Sequence, residues 1–389
     1  MTVAATGVWA DLIGQERVVE VLTRAVAARR TGEHSHAMTH AWLFTGPPGS
    51  GRSNAARAFA AALQCPSGGC GQCNTCVTVL SGAHPDVTLV RTEQLSIGVD
   101  EVRDLVRRAA MAPTVAGLQI LVVEDADRIT ERGADALLKS IEEPAARTVW
   151  LLCAPNAEDM VVTVRSRCRR VELATPSTAA ISALLQRRDG VDAVTADFAA
   201  RAAQGHIGRA RALARNEEAR ARRADVLALP TRLSSLGACL SAAASLVETA
   251  SADASAVTGD LDAKERAALA EALGVNTTGA KPRNAQAALR DLEDQQKARA
   301  KRLQRDALDR VLTELTAFYR DVLILQTGAG AEVINAEQWD AVEQIATSTS
   351  AEHSIRCLDA ILTCRQALEA NVAPLLAMES LLISLSASL

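Results

Sequence analysis

The stretch Thr45-Gly46-Pro47-Pro48-Gly49-Ser50-Gly51-Arg52-Ser53 decides how the first half of the chain is read. An apolar run, Ala41 to Phe44, precedes it and has the character of a buried strand, and the alanine-rich segment Asn54 to Leu63 that follows has the character of a helix. That context, strand then glycine-rich turn then helix start, is where the pattern G-x-x-x-x-G-K-[ST] binds nucleotides. Glycines let backbone N–H groups close around phosphates at a helix N-terminus, while the lysine and hydroxyl reach the outer phosphates and Mg²⁺. Gly46, Gly51 and Ser53 fit the pattern, Gly49 lies in the same turn, and the lysine position holds Arg52. Arginine keeps the charge but spreads it over a planar fork, so the exchange is not conservative in a tight cradle. The reading is a nucleotide-binding loop with its lysine altered; the bland alternative is a chance glycine-rich turn.

The 389 residues imply two or three domains, each able to bury its own core. Aromatic residues make up only 2% and alanine is abundant, which favours helices packed through small and branched side chains. A net charge of -4 argues against a wholly basic nucleic-acid binder and leaves local basic patches open. Met1 to Trp9 has no secretory signal pattern, and no later stretch is apolar for long enough to span a membrane, so a soluble, cytoplasmic protein is expected. In that reducing setting the nine cysteines are not expected to form disulfides.

Four of them lie within twelve residues, in Cys65-Pro-Ser-Gly-Gly-Cys70-Gly-Gln-Cys73-Asn-Thr-Cys76. Cys65, Cys70, Cys73 and Cys76 can close a tetrahedral thiolate cage, and Gly68, Gly69 and Gly71 permit its tight turns. Structural zinc is the leading expectation, an iron–sulfur cluster the rival and reduced thiols the bland reading. A closed four-cysteine site leaves no open coordination position, which assigns it to folding rather than chemistry. Cys153, Cys168, Cys239, Cys357 and Cys364 read as core residues. His34, His36 and His40 read as part of a solvated polar loop, behind an amphipathic helix within Trp9 to Arg29.

Further strands are expected at Val87 to Val90, Ile120 to Val123 and Val149 to Cys153, separated by helical patterns at Val99 to Ala110 and Gly133 to Glu142. Alternation of this kind after a phosphate loop predicts an α/β domain, a parallel sheet covered by helices with ligands at the strand C-terminal ends. Glu124 and Asp125 stand at such an end, where one acid holds Mg²⁺ and a second orients the attacking water. The order expected of a hydrolase is Asp then Glu. The inversion predicts poor hydrolysis even where nucleotide binding survives.

Residues Asp11 to Leu173 resemble the N-terminal module of bacterial DNA polymerase III clamp-loader subunits, which are AAA+ proteins. The resemblance rests on Leu12-Ile-Gly14-Gln15, the phosphate loop, the cysteine cluster directly after its helix, Ala134-Asp-Ala-Leu-Leu-Lys-Ser-Ile-Glu-Glu-Pro144 and Ser166-Arg167-Cys168. Within the family the chain is most similar to the delta prime type. The family's ATPase subunits have an intact loop lysine, an Asp-Glu pair and a sensor arginine in a G-x-x-R pattern. In Gln204-Gly205-His206-Ile207-Gly208-Arg209-Ala210 that arginine position holds Gly208. Three departures together imply a subunit that no longer hydrolyses ATP, with ATP or ADP and Mg²⁺ bound weakly or not at all by Gly46, Gly49, Gly51, Arg52, Ser53, Glu124 and Asp125. The resemblance also implies that Arg167 is presented in trans to a neighbour's nucleotide. The implied partners are gamma/tau ATPase subunits, the delta subunit, the sliding clamp and primer-template DNA. An active gamma/tau-type ATPase is the alternative, and a zinc-bearing AAA+ enzyme outside replication a third reading.

The expected domains are 1–174, an AAA+ module holding the cysteine insertion at 65–76; 175–222, a small helical lid; and 223–389, an all-α collar or oligomerisation domain. Thr175-Pro176-Ser177 follows a last strand and opens the lid. Glu217 to Arg223 reads as a solvated helix face. Ser241 to Asn284, which includes Lys281-Pro282-Arg283, is expected to be partly loop. Beyond it, Ala285 to Leu325 carries the apolar stripe Val311, Leu312, Leu315, Phe318, Tyr319, Val322 and Leu323, and apolar segments at His353 to Ala370 and Val372 to Leu389 complete a bundle. Val164 to Arg170 and the trio Arg103, Arg107 and Arg108 are the basic clusters available to phosphates. No aromatic stacking platform accompanies them.

Overall fold

The computed structural model describes residues 6–31, 37–92, 96–115, 117–273 and 285–386. His34, His36 and the Lys281-Pro282-Arg283 stretch lie outside the described residues. The chain forms two compact units, Met1–Arg215 and Asn216–Leu389.

The first unit is built on a five-stranded sheet of β1 (Ala41–Thr45), β2 (Val87–Val90), β3 (Gln119–Val123), β4 (Thr148–Ala154) and β5 (Arg169–Glu172), in the order β2-β3-β4-β1-β5. Every pairing is parallel. An all-parallel sheet is covered on both faces, so its inner strands read as unbroken apolar runs. β1, β3 and β4 are buried at every position. Because side chains alternate across a strand, Trp42 and Phe44 enter one core, and Ala41 and Leu43 the other.

The first core is roofed by α1 (Glu16–Thr31), α2 (Arg52–Gln64) and α3 (Asn74–Ser81), the second by α4 (Val99–Ala109), α5 (Glu131–Glu142) and the short α6 (Val162–Arg165). Ala55, Ala56, Ala58, Ala60, Ala61 and Ala62 let α2 approach the sheet closely, and Phe59 meets Trp42 edge-on with ring centroids 5.0 Å apart. Such aromatic pairs add about 0.5–1.5 kcal/mol beyond their buried area. β5 holds three charged residues and one apolar one, Val171; as an edge strand it is only partly covered. The unit ends with α7 (Thr178–Asp189), α8 (Ala193–Ala202) and α9 (Ile207–Arg215). Ser177 caps α7, Asp192 caps α8, and Arg211 grips Asp189 with Nη2 and Nε, at 2.7 and 2.9 Å. That fork holds the Asp189 carboxyl below its ordinary pKa.

The second unit is helical: α10 (Glu217–Leu227), α11 (Leu229–Arg232), α12 (Leu236–Ala272), α13 (Ala285–Thr327), α14 (Trp339–Ser348), α15 (Ala351–Glu369) and α16 (Pro374–Leu385). Leu312, Leu315, Phe318, Tyr319 and Val322 of α13 form the centre of its core. Of the stretch 241–284, expected to be partly loop, 274–284 lies outside the described residues and 241–272 is helix. Its alanines favour helix, and its hydroxyls return to the backbone, Ser251 to the Val247 carbonyl and Ser255 to the Ser251 carbonyl. α12 and α13 run antiparallel, clasped by Gln304 on Ser251 and by Arg299 on Asp262 and Glu265.

The solvated-face reading of 217–223 fails at Arg223, which is 4% exposed. Its guanidinium donates to Glu314 at 3.1 Å, and also to Glu337 and Asn335. A charge this deep is stable only when fully paired. Asn335 in turn donates to Asp321 at 2.8 Å, and Asp321, fully buried, also accepts the Ile334 and Asn335 backbone N–H groups. Asp321→Ala removes the acceptor that these donors share, including the buried Asn335 N–H. It should cost about 2–4 kcal/mol in urea unfolding, and Asp321→Asn, which keeps one acceptor oxygen, should cost less. Equal, small losses in both variants would show that the network carries little of this unit's stability.

Candidate functional site

The phosphate loop joins the end of β1 to α2, between the ends of β4 and β5: the Gly46 N–H donates to the Pro155 carbonyl at 3.0 Å and the Leu173 N–H to Thr45 at 2.7 Å. A Cβ on Gly46 would sit 2.7 Å from the Leu173 carbonyl oxygen, so only glycine fits there. A Cβ on Gly49 would sit 2.5 Å from the His206 Cα, and the Gly49 carbonyl accepts the Ile207 N–H at 3.3 Å. The loop is therefore seated against the first turn of α9. Gly51 is the residue before α2 and offers no side-chain cap, as an anion-binding helix start requires.

Arg52 does not extend from the loop as a phosphate-seeking cation. Its Nη1 donates back to the Gly46 carbonyl at 2.5 Å. Burial pulls its pKa below the ordinary arginine value, against the opposing pull of Asp127, Asp125 and Asp159 among its neighbours. Ser53 follows it, half-buried at the start of α2.

At the end of β3, Glu124 is held by Arg57 of α2. Both Nε and Nη2 of Arg57 donate to the same Glu124 oxygen, at 2.8 and 2.5 Å, and the Glu124 side chain is only 9% exposed. Arg52, Arg57, Glu124 and Asp125 all act electrostatically on the buried Cys153 thiol, whose pKa burial has already raised. Asp127, close by, is also raised by burial. A divalent cation at this strand end needs a carboxylate with oxygen lone pairs to offer. The leading acid of the pair instead gives one oxygen to a guanidinium, and that oxygen is not open to a cation in this arrangement. The glycine turn and the α2 N-terminus fit the phosphate half. Sequence reasoning misses Arg57; its one signal is a lone cation on an otherwise alanine-rich stretch of helix.

Gly205 ends the turn before α9 with φ at 90°, and Gly208, three residues on, has no side chain to extend. His206, likewise unforeseen, stands between them and accepts the Arg209 N–H at 3.2 Å through Nδ1.

The four clustered cysteines come together. Their sulfurs all lie within 4.8 Å of one another, with Cys65 at 3.8 Å from Cys70 and 3.7 Å from Cys73. A tetrahedral ion with metal–sulfur bonds near 2.3 Å separates its sulfurs by about 3.8 Å, whereas a disulfide needs about 2.05 Å. Backbone N–H groups point at the sulfurs: Gly71 at Cys76, Cys73 at Cys70 and Cys76 at Cys73, each at 3.4 Å. Burial pushes the Cys65 thiol up, but N–H groups of Cys70, Gly69 and Ser67 outweigh it and bring it down to about 6. N–H groups of Gln72 and Cys73 lower Cys70, while burial raises Cys76. The set fits one metal ion. Of the remaining cysteines, Cys153, Cys239, Cys357 and Cys364 are buried as expected, while Cys168 is only half-buried.

Arg167 lies just after α6. Its Nε pairs with Glu142, the first acid of the Glu142-Glu143-Pro144 motif, at 2.6 Å, and its Nη1 donates to the Thr163 carbonyl at 2.7 Å. Both side chains of the pair are well exposed, 39% and 45%. Most of the basic clusters are engaged within the chain: Arg103 with Asp100, Arg107 with Asp104, Arg165 with Glu158, Arg170 with Glu172, and Arg169 over the Trp42 ring. Among the described residues no helix is long and apolar enough to cross a membrane.

Comparison with known proteins bears on the same segments. The family model described as DNA polymerase III, delta subunit, matches residues 14–177, and a second model, of the C-terminal region of that delta subunit, matches residues 264–387. A DNA polymerase III subunit delta' from Pseudomonas aeruginosa is 35% identical over 163 residues, 40% of this chain and 49% of that protein. A DNA polymerase III subunit gamma/tau from Mycobacterium tuberculosis is 32% identical over 196 residues, 49% of this chain and 33% of that protein. The chain thus spans between a third and a half of the length of these relatives. A solved structure of a DNA polymerase III gamma subunit-related protein from Thermotoga maritima aligns with 93% of this chain and 98% of its own, at 17% identity and a TM-score of 0.39. Models of the DNA polymerase III delta subunit thus match this chain twice, once within its α/β unit and once within its all-α unit.

Proposed function

We propose that this chain is of the delta prime type, a non-hydrolysing stator of the DNA polymerase III clamp loader that lends an arginine to a neighbouring ATPase subunit. The observation that carries this reading is the state of its own nucleotide site, where Arg52 is folded onto the Gly46 carbonyl and Glu124 is engaged by Arg57. Gly208 at the sensor position points the same way. In this reading the partners are gamma/tau ATPase subunits and the delta subunit, and the assembled ring acts on the sliding clamp and primer-template DNA in the cytoplasm. ATP or ADP with Mg²⁺ binds this chain weakly or not at all. The working division is 1–174 as AAA+ module, 175–222 as lid and 223–389 as collar. The likeness to gamma/tau proteins over 196 residues supports a second reading, an active ATPase of that type.

Arg167 is the residue assigned to the neighbour. An arginine brought to a phosphoryl group undergoing transfer stabilises charge on its oxygens, and in GTPases such fingers are worth roughly 10³–10⁵ in rate. The Arg167–Glu142 pair is exposed, and exposed pairs contribute only about 0–1 kcal/mol, so exchanging Glu142 for a phosphate oxygen costs little. Glu142 in this reading parks the guanidinium until a neighbour's nucleotide replaces it. The proposed role of the cysteines is structural: a zinc ion held by Cys65, Cys70, Cys73 and Cys76 fixes the turn between α2 and α3. A multi-iron core would hold its cysteine ligands further apart than a single ion does, which favours zinc over a cluster.

Arg167→Ala should leave the chain folded and the complex assembled while markedly lowering the DNA- and clamp-stimulated ATPase of the reconstituted loader. Arg167→Lys should rescue poorly because it restores charge without the bidentate fork. Unchanged ATPase and clamp loading would remove the finger role, and failure to assemble would make Arg167 an interface residue instead. Elemental analysis of protein purified without added metal should find about one zinc per chain. Cys73→Ser should lower the melting temperature of the first unit, whereas iron with visible absorption, or no metal, would contradict the zinc assignment.

A further inference from the structure

Resting on the reading that this chain does not hydrolyse ATP, we propose that Arg57 is an internal cation standing in for the divalent metal at the end of β3. Glu124 reaches it because its side chain is one methylene longer than aspartate. A carboxylate as enclosed as Glu124 needs a counter-charge, and a guanidinium that places two N–H groups on one oxygen supplies both the charge and the hydrogen bonds. A metal ion on that oxygen would meet a fixed positive charge within a few ångströms and would have to expel it.

The fold makes the arrangement durable. Arg57 projects from α2, the helix that begins at the phosphate loop, and α2 is locked to the sheet by its buried alanines and Phe59. Arg52, at the start of the same helix, is also turned inward, so the strand end and the loop carry two arginines where a hydrolase would present one lysine and one metal ion. The side chain of Arg57 is 31% exposed, which leaves the guanidinium a path to solvent if Glu124 is shortened. Glu124 thus has its counter-charge without a metal.

The test uses the full-length chain and Mn²⁺ as the probe, with the free ion followed by electron paramagnetic resonance in the presence and absence of ADP. The wild-type chain should show no Mn²⁺ site that Glu124→Gln removes. Arg57→Met, which keeps the apolar stem, should gain one site, and adding Glu124→Gln to it should abolish that site. Mn²⁺ should also raise the melting temperature of Arg57→Met and leave that of the wild type unchanged. Should Arg57→Met fail to fold, Glu124→Asp keeps both charges and should likewise gain Mn²⁺ binding by withdrawing from Arg57. Mn²⁺ bound by the wild type through Glu124, or no gain in any folded variant, would overturn the proposal. ATP turnover is read separately. A silent wild type that binds Mn²⁺ through Glu124 overturns the internal cation alone, and turnover by the wild type overturns the non-hydrolysing reading.

Discussion

The seat of β1 in the middle of the sheet constrains everything around the first site. β1 pairs with β4 on one side and β5 on the other, strands that follow it by more than a hundred residues. Loop closure over such distances is entropically costly, and it is offset by burying whole strands on both faces. Once β1 is so placed, Gly46 must pass close to the Leu173 carbonyl, and the loop beyond it lands where the α9 turn begins. The phosphate loop, the β3 acids and the His206 turn are therefore brought together by sheet order rather than by sequence proximity.

Within that frame the site keeps a nucleotide-binding architecture while its polar groups satisfy one another. Arg52 returns to its own loop, Glu124 answers to Arg57, and Gly208 of α9 has no side chain to send toward them. Arg52 and Glu124 are thereby both engaged within the chain. Arg167 contrasts with them, since its pair with Glu142 is exposed and easily exchanged. The second unit solves a different problem. Its guanidinium at Arg223 and carboxylate at Asp321 are buried deep among helices, and their mutual pairing through Asn335 fixes the turn between α13 and α14.

Much of the first unit is legible because its chemistry is written in local patterns. The runs at β1, β3 and β4 are unbroken apolar stretches, and the loop and cysteine spacings are mechanisms in themselves. What stays hidden depends on which side chains meet across the fold. Arg57 looks like a solvated charge until α2 is laid against the end of β3, and Arg223 until α10 is laid against α13. α12 reads partly as loop because serine, threonine and glycine are weak helix formers; packing along α13 overrides that preference. α3 begins within the cysteine cluster, whose turn pattern obscures it: Cys73 caps the helix and Cys76 lies in its first turn.

Central to the proposed function is that this chain's own nucleotide site is silent. The most direct test is steady-state ATP hydrolysis by the purified chain alone, with excess Mg²⁺, against a buffer blank. A stator predicts no turnover above the blank. Sustained turnover that disappears in Arg52→Ala would contradict it and assign the chain to the hydrolysing subunits of the loader.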